Sequence, residues 1–266
     1  MHSSETNGHG SVWLVLPTYN EAENIESLVS TARRELARVV EDHHVLVVDD
    51  GSPDGTGQIA DALAAEDDHV EVLHRTQKEG LGRAYIAGFE YALRAGADLI
   101  IEMDADYSHD PRDLPRLLAA AQTADLVLGS RYTRGGGVSD WSLVRRLISR
   151  GGSWYARRLL GVGVRDLTGG FKCFRRETLN RIDYRDTHAN GYGFQIELTY
   201  RTIQAGMRVV EIPIVFRDRQ AGKSKMSTKI VIEAMWKVPA LRLRVRRRQL
   251  AMPPLAGVSP QHSDAR

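Results

Sequence analysis

Three short acidic segments follow apolar runs in the first half of the chain. They are Pro17-Thr18-Tyr19-Asn20-Glu21, Asp49-Asp50-Gly51-Ser52-Pro53-Asp54-Gly55 and Asp104-Ala105-Asp106. Two carboxylates separated by one residue can share a hard cation such as Mg²⁺ or Mn²⁺, which keeps coordination positions for phosphate oxygens. Aspartate-rich loops are also ordinary turn chemistry. It is the expected convergence of three such loops at one edge of a sheet that predicts a cation site for a phosphorylated ligand.

A competing motif is Gly55-Thr56-Gly57-Gln58-Ile59-Ala60, which matches the G-x-G-x-x-A pattern of dinucleotide-binding proteins. Six residues separate it from the apolar run that ends at Val48, where the pattern requires a tight turn. Three of those six residues are aspartates, which repel a pyrophosphate. His74 and Arg75 stand where a ribose-binding acid is expected. The sequence therefore argues against a nicotinamide cofactor.

Alternating strand and helix patterns must position these loops. The alternation predicts an α/β fold with an open, mostly parallel sheet flanked by helices. Asn20 is predicted to cap the first helix, with Glu23 as its capping-box partner. Beyond about residue 160 the pattern is mixed. The predicted strands are Val12–Leu16, Val45–Val48, Val70–Leu73, Leu99–Met103 and Leu126–Leu128, and further helices are predicted at Thr56–Ala65, Gly82–Ala95, Arg112–Ala121 and Leu143–Leu160.

Composition limits the class of protein. The chain has 266 residues, of which 42% are hydrophobic and 26% charged, enough apolar material for one large folded domain. The single cysteine, Cys173, permits no intramolecular disulfide and no zinc-binding cysteine cluster, which favours a reducing cytoplasmic setting. The N-terminal residues have no apolar core of a signal peptide, and no apolar run approaches the roughly 18 residues of a membrane-spanning helix.

The formal net charge of +2 conceals an uneven distribution. Residues 217–248 carry eleven lysines and arginines against two acidic residues, so the rest of the chain is acidic. This basic segment predicts an anionic partner such as phosphate, nucleic acid or lipid headgroups. No recognition-helix or RNA-binding signature supports nucleic acid.

Several motifs taken together resemble glycosyltransferases of family two with the A-type fold, and within them the dolichyl-phosphate and polyprenyl-phosphate mannose synthases. The resemblance covers about residues 11–230. Besides the three acidic segments, it is carried by Gly80-Leu81-Gly82-Arg83-Ala84-Tyr85, Gly129-Ser130-Arg131-Tyr132, Ser149-Arg150-Gly151, Asp166-Leu167-Thr168-Gly169-Gly170-Phe171 and Ser224-Lys225.

The resemblance implies a role for individual positions. Asp104 and Asp106, with the backbone of Ala105, would hold the metal and the donor diphosphate, and Asp106 and Arg131 would be catalytic. Some family members have a glutamine metal contact where this chain has Ser108, whose role stays open. The base and ribose of GDP-mannose would lie near Pro17, Tyr19, Glu21, Val48 and Asp50, and the phosphates of donor or acceptor near Arg131, Arg219 and Lys225.

The implied reaction is an inverting, metal-dependent transfer of mannose from GDP-mannose to a polyprenyl monophosphate. Its product would be a lipid-linked mannose donor for glycoconjugate or cell-envelope synthesis. A phosphate monoester is already charged at cytoplasmic pH because its second pKa is about 6, so no general base is required. Two alternatives stay open: transfer of glucose from UDP-glucose to the same acceptor, and a catalytically silent protein that binds nucleotide sugars or lipid phosphates.

The expected organisation has four parts: a disordered tail over 1–10, a catalytic glycosyltransferase domain over 11–228, a basic amphipathic helix over 229–248 and a disordered tail over 249–266. The apolar residues of 229–248 follow helical spacing, which suits either packing on the catalytic domain or an anionic membrane surface. We expect a cytoplasmic protein that associates peripherally with the cytoplasmic membrane face, through its lipids or a membrane partner protein.

Overall fold

Apolar, largely β-branched segments form the strands of a central sheet. The computed structural model describes residues 10–139, 141–187, 191–217 and 238–245. The strands are β1 (Val12–Thr18), β2 (His43–Asp49), β3 (Val70–His74), β4 (Leu99–Glu102), β5 (Leu126–Ser130), β6 (Gly137–Val138), β7 (Lys172–Arg175), β8 (Val209–Pro213) and β9 (Val215–Phe216). The helices are α1 (Ile25–Ala37), α2 (Thr56–Glu66), α3 (Leu81–Ala95), α4 (Leu114–Ala121), α5 (Leu143–Leu160), α6 (Arg176–Ile182) and α7 (Tyr192–Gln204).

Seven strands form the main sheet in the order β3-β2-β1-β4-β7-β5-β8, and β6 and β9 form a small second sheet. The pairs β1–β2, β1–β4, β2–β3 and β5–β8 are parallel. β7 is antiparallel to both of its neighbours, β4 and β5. The predicted open, mostly parallel α/β sheet is therefore confirmed, and the antiparallel strand lies in the region where the sequence pattern was mixed.

Helices cover both faces of the sheet, so the fold has two apolar cores. One core joins the sheet to α1 and α4, and the other joins it to α3, α6 and α7. Because both faces are covered, β1, β2 and β4 are buried almost without interruption. The loops that follow the carboxyl ends of these strands lie outside the two cores, at the edge where open α/β sheets bind their ligands.

The start of α1 differs from the prediction. Asn24, not Asn20, is the N-cap residue, and α1 begins at Ile25. Asn20 has a φ of 60°, a left-handed conformation that asparagine tolerates better than most residues. Its backbone N–H donates to Ser52 Oγ at 3.1 Å, so this residue belongs to the loop at the sheet edge. The predicted capping box was wrong because the loop after β1 is longer than the spacing indicated.

Residues 238–245 are helical and form the described part of the predicted basic helix. Val238, Leu241 and Val245 are buried in the same core as α3 and α7, and Arg242 Nη1 donates to the Leu159 carbonyl at 2.8 Å. This part of the helix therefore packs on the domain, and Arg242 has a local partner. The rest of 229–248 and both tails, apart from Gly10, lie outside the described residues, so the predicted domain boundaries stay predictions. No helix among the described residues has the length and apolarity to span a bilayer.

Candidate active site

The loops after β1 and β2 are joined by hydrogen bonds at the edge of the sheet. The backbone N–H of Glu21 donates to Thr56 Oγ1 at 2.9 Å, and that hydroxyl donates to Asp54 Oδ1 at 2.6 Å. The Ala22 N–H donates to the other oxygen of Asp54 at 3.1 Å. These hydrogen bonds favour the charged carboxylate, and they hold the pKa of Asp54 below its usual value although burial opposes them. Two loops far apart in sequence are thus joined into one wall of the site.

The predicted nucleotide-site residues meet along this wall. Pro17 and Val48 are register partners on β1 and β2, and Tyr19 follows β1 with Lys78 Nζ 3.5 Å from its ring centroid. Val48 is fully buried in the core, so its side chain does not face the loops. Asp50 forms an ion pair with Arg75. Burial raises the pKa of Asp50, and the positive charge of Arg75 only partly offsets that effect.

The second expected cluster lies after β4. The Asp104 side chain is 25% exposed, and the Tyr85 hydroxyl donates to its Oδ1 at 3.2 Å. Asp106 is buried and accepts the backbone N–H of Ser108 at 3.0 Å, while Ala105 belongs to the core. Burial and the nearby carboxylates of Asp104 and Glu102 raise the pKa of Tyr85 well above its usual value. Tyr85 therefore stays protonated and keeps donating to Asp104.

The residues around Asp104 and Asp106 suit a divalent metal ion. Ser108 Oγ is fully buried and has no hydrogen-bond partner among the described residues, so an oxygen donor is available two residues after Asp106. Gly170 leaves room there, since a Cβ at that position would lie 3.5 Å from Asp104 Oδ2. The described residues contain no group of three or more His, Cys, Asp or Glu side chains arranged for a metal. Two carboxylates suit Mg²⁺ or Mn²⁺, because such ions keep positions for phosphate and water.

Arg131 lies on the other side of the two adjacent glycines. Its Nε and Nη2 donate to the two oxygens of Asp166, each at 2.7 Å, and both residues are buried. Burial alone would raise the pKa of Asp166, but the Arg131 guanidinium together with the backbone N–H groups of Arg131 and Thr168 holds that pKa below its usual value. A Cβ on Gly169 would lie 3.8 Å from Asp166 Oδ1. Gly169 and Gly170 therefore separate this ion pair from Asp104.

A second buried ion pair supports the strand that carries the two aspartates. Lys172 Nζ lies 3.3 Å from Glu102 Oε1 and donates to the Gln195 carbonyl at 3.0 Å. Glu102 and Lys172 are register partners on β4 and β7. Burial raises the pKa of Glu102 and lowers that of Lys172. The pair joins β4, β7 and α7 directly beneath Asp104.

The basic residues predicted for the phosphates are only partly placed. Arg131 is described, whereas Arg219 and Lys225 lie outside the described residues. The chain that leads to them passes the loop after β4, because the backbone N–H of Arg217 donates to the Ser108 carbonyl at 3.0 Å. Arg217 Nη2 also lies 3.8 Å from Asp110 Oδ2.

Sequence reasoning missed the groups that hold the site residues in place. Tyr85 and Asp166 stood inside quoted motifs, but no spacing rule pairs Tyr85 with Asp104 or Asp166 with Arg131. Lys172 lies outside the acidic motifs, and its partner Glu102 lies inside an apolar run. A charged residue within such a run was the one available signal, because charges are rarely fully buried without a partner.

Comparison with known proteins agrees with this geometry. The family model described as "Glycosyl transferase family 2" matches residues 13–183. A relative from Micrococcus luteus, named "Undecaprenyl-phosphate mannosyltransferase", is 53% identical over 84% of this chain and 90% of its own. Another from Mycolicibacterium smegmatis, named "Polyprenol monophosphomannose synthase", is 49% identical over 88% of this chain and 87% of its own.

The fold is also found in solved structures. Glucosyl-3-phosphoglycerate synthase from Mycobacterium tuberculosis, in complex with Mn²⁺, uridine-diphosphate and phosphoglyceric acid, superposes with a TM-score of 0.65. The match covers 89% of this chain and 80% of that one at 20% identity, so it concerns the fold alone. It confirms the predicted A-type glycosyltransferase fold. Since the family model spans more than half of the residues and two curated relatives are about half identical, the chain belongs to glycosyltransferase family two.

Proposed function

We propose that this glycosyltransferase transfers mannose from GDP-mannose to a polyprenyl monophosphate, with inversion at the sugar carbon and with the help of Mg²⁺ or Mn²⁺. The observation that carries the proposal is the partly exposed Asp104 near the buried Asp106 and Ser108, next to the wall formed by the loops after β1 and β2. The names of the two curated relatives support the mannosyl donor class and the polyprenyl phosphate acceptor.

In the proposed donor site, the wall receives the nucleoside and the end of β4 receives the diphosphate. Tyr19 offers a ring for the base, and Glu21 and Asp50 offer carboxylates to ribose or base hydrogen-bond donors. Asp104 and Asp106 would hold a divalent ion, which would neutralise, as a Lewis acid, the charge that develops on the departing diphosphate. The hydrogen bond from Tyr85 keeps one Asp104 oxygen oriented, and Ser108 would offer a further oxygen to the ion.

The transfer requires no protein side chain to act as a general base. An oxygen of the acceptor phosphate attacks C1 of mannose, the bond from C1 to the β-phosphate oxygen breaks, and the electron pair leaves with GDP. The attacking phosphate is already a dianion at neutral pH. The protein must bring two anions together, and Arg131, Arg219 and Lys225 are proposed to offset their repulsion. Asp166 fixes the direction of the Arg131 guanidinium.

The product is polyprenyl phosphate mannose, a lipid-linked mannose donor for glycoconjugate or cell-envelope synthesis. Because the acceptor is a lipid, the proposal includes peripheral association with the cytoplasmic face of a membrane.

A donor panel tests the proposed function. Purified protein is incubated with polyprenyl phosphate and either radiolabelled GDP-mannose or radiolabelled UDP-glucose, and the label that enters the organic phase is counted. We expect transfer from GDP-mannose, loss of transfer after chelation with EDTA, and recovery with Mg²⁺ or Mn²⁺. Transfer from UDP-glucose alone would favour the glucosyl alternative, and no transfer from either donor would favour a silent binding protein.

A further inference from the structure

Helix α5 has two apolar faces, and only one of them touches the protein. Ser153, Ala156 and Leu160 are buried against the domain. On the other face, large apolar side chains are exposed to solvent: Leu143 by 75%, Leu147 by 73%, Val144 by 66%, Trp154 by 64% and Ile148 by 38%. These five are most of the large hydrophobic residues that the described structure leaves exposed.

The exposed residues form one continuous stripe. At about 100° per residue, the five side chains fall within an arc of about 140° whose centre lies opposite the buried face. The stripe runs along the helix for three turns, from Leu143 to Trp154. Exposed apolar residues scattered singly need no explanation, whereas a contiguous apolar face marks an interaction surface.

The positive charge of α5 indicates the chemistry of the surface that it binds. Five arginines and no acidic residue lie between Leu143 and Leu160. Arg146 and Arg157 each donate to a neutral backbone carbonyl, of Val138 at 3.3 Å and of Gly163 at 3.4 Å, and Arg145 stacks over the ring of Trp141. By their spacing, Arg150 and Arg157 lie along one border of the apolar stripe, and Arg158 lies within it. The surface thus combines a tryptophan and aliphatic side chains with a dense positive charge.

We propose that α5 docks on an anionic lipid bilayer, with its apolar stripe in the interfacial region and its arginines at the lipid headgroups. An amphipathic helix with large apolar residues on one side and arginines beside them is typical of helices that lie in the membrane interface. A second copy of the chain is a poor occupant, because a two-fold contact would oppose the same arginines. Residues 218–237 are also a poor occupant, because they carry five basic residues against two acidic ones.

The position of α5 fits the chemistry proposed above. The Tyr132 hydroxyl donates to Ser149 Oγ of α5 at 2.6 Å, and Tyr132 adjoins Arg131. Trp141, two residues before α5, has its ring centroid 5.8 Å from Arg131 Cζ. A bilayer on α5 would therefore lie beside the ion pair of Arg131 and Asp166, where a lipid phosphate could enter without leaving the membrane. This step rests on the proposed function, whereas docking itself does not.

The test measures binding of the full-length protein to vesicles without any sugar donor or acceptor. The triple variant Leu143→Gln, Leu147→Gln, Trp154→Gln removes the stripe at exposed positions, where the fold tolerates polar side chains. The matched control is Val215→Gln, which replaces another exposed apolar residue outside α5. On vesicles rich in phosphatidylglycerol we expect at least a tenfold loss of binding for the triple variant and no change for the control. Vesicles of phosphatidylcholine alone should bind the parent protein weakly, because the arginines lose their partners.

Tryptophan fluorescence gives a second readout. Lipids brominated near the headgroup should quench Trp154 in the parent protein, and Trp154→Phe should remove that quenching while most of the binding remains. Equal vesicle binding by the triple variant and the parent would overturn the proposal. It would also be overturned if the parent protein bound no vesicles and the triple variant differed from it in oligomeric state. Vesicle binding together with failure of the donor panel would overturn the proposed function and leave the docking surface standing.

Discussion

Two parts of the candidate site are stabilised in different ways. The wall formed by the loops after β1 and β2 is joined by hydrogen bonds through Thr56 and Asp54. In the interior next to this wall, Arg131 pairs with Asp166 and Lys172 with Glu102, and all four side chains are buried. A single hydrogen bond contributes little net stability, whereas a buried ion pair is costly to break on one side only. Substitutions should therefore have graded effects, largest at the buried ion pairs.

The largest effect is expected at Asp166. Asp166→Ala leaves the buried Arg131 guanidinium without its carboxylate and should lower the free energy of unfolding by about 3–5 kcal/mol, measured by urea titration. The matched control is Glu90→Ala, which breaks the exposed pair of Glu90 with Arg185 and should cost about 1 kcal/mol or less. Equal losses in both variants would show that burial does not distinguish the two pairs.

Asp166 also gives a pH dependence with a defined sign. The pKa of Asp166 is lowered in the folded protein, so its contribution to stability is complete above the unfolded value of about 4. That contribution is lost as pH falls through the folded pKa. Asp166→Asn should therefore show a smaller decrease in stability between neutral pH and about pH 3 than the parent. A parallel acid profile in the two proteins would contradict this assignment.

The second effect concerns the ion pair beneath Asp104. Lys172→Met leaves Glu102 buried without its cation and should destabilise the protein by about 2–4 kcal/mol. This loss is smaller than at Asp166, because burial raises the pKa of Glu102 and favours its neutral form. Adding Glu102→Gln should restore much of the loss, because the buried charge is then removed. Urea titrations of the single and double variants measure both steps, and an additive second loss would refute the coupling.

A smaller effect is expected at Tyr85, which touches Asp104 and is itself part of the core. Tyr85→Phe removes the hydrogen bond to Asp104 Oδ1 and should lower kcat/KM about tenfold, about the strength of one hydrogen bond to a charged group. The control is Tyr91→Phe, which removes a hydroxyl that donates to Glu71 away from the site. This variant should leave kcat/KM unchanged. A pH–rate profile that shifts in Tyr85→Phe would mean that the phenol titrates, contrary to its raised pKa.

The smallest effect on stability is expected in the wall formed by the loops after β1 and β2. Thr56→Val removes the hydroxyl that joins Glu21 to Asp54 and should lower the free energy of unfolding by about 1 kcal/mol. Because the wall is proposed to receive the nucleoside, affinity for GDP should decrease by a small factor in isothermal calorimetry. An unchanged affinity would separate the wall from the donor site.

The same contrast decides what the sequence could predict. The strands and helices before residue 160 follow periodic patterns, and α5 begins and ends at the predicted residues, Leu143 and Leu160. The acidic loops were predicted to meet because parallel strands end at one edge. The pairs that join Arg131 to Asp166 and Lys172 to Glu102 span 35 and 70 residues of sequence, and β7 is antiparallel in an otherwise parallel region. No local period records such pairings, so they required the fold.

The apolar stripe of α5 shows a further limit. Its helical spacing predicted the helix, but the same spacing could not say which face would be buried. The small residues Ser153 and Ala156 turned towards the domain, and Leu143, Leu147 and Trp154 turned away. The predicted basic helix over 229–248 suited either packing on the domain or an anionic membrane surface, and its described part packs Val238, Leu241 and Val245 on the core.

Asp104 and Asp106 are proposed to form a metal-dependent donor site for GDP-mannose. Isothermal calorimetry of GDP-mannose binding, with Mn²⁺ and with EDTA, tests it most directly in the parent, in Asp106→Asn and in the control Asp113→Asn, which alters a carboxylate outside the proposed site. We expect Mn²⁺-dependent binding in the parent and the control, and loss of that dependence, together with turnover, in Asp106→Asn. Unchanged Mn²⁺-dependent affinity in Asp106→Asn would contradict it.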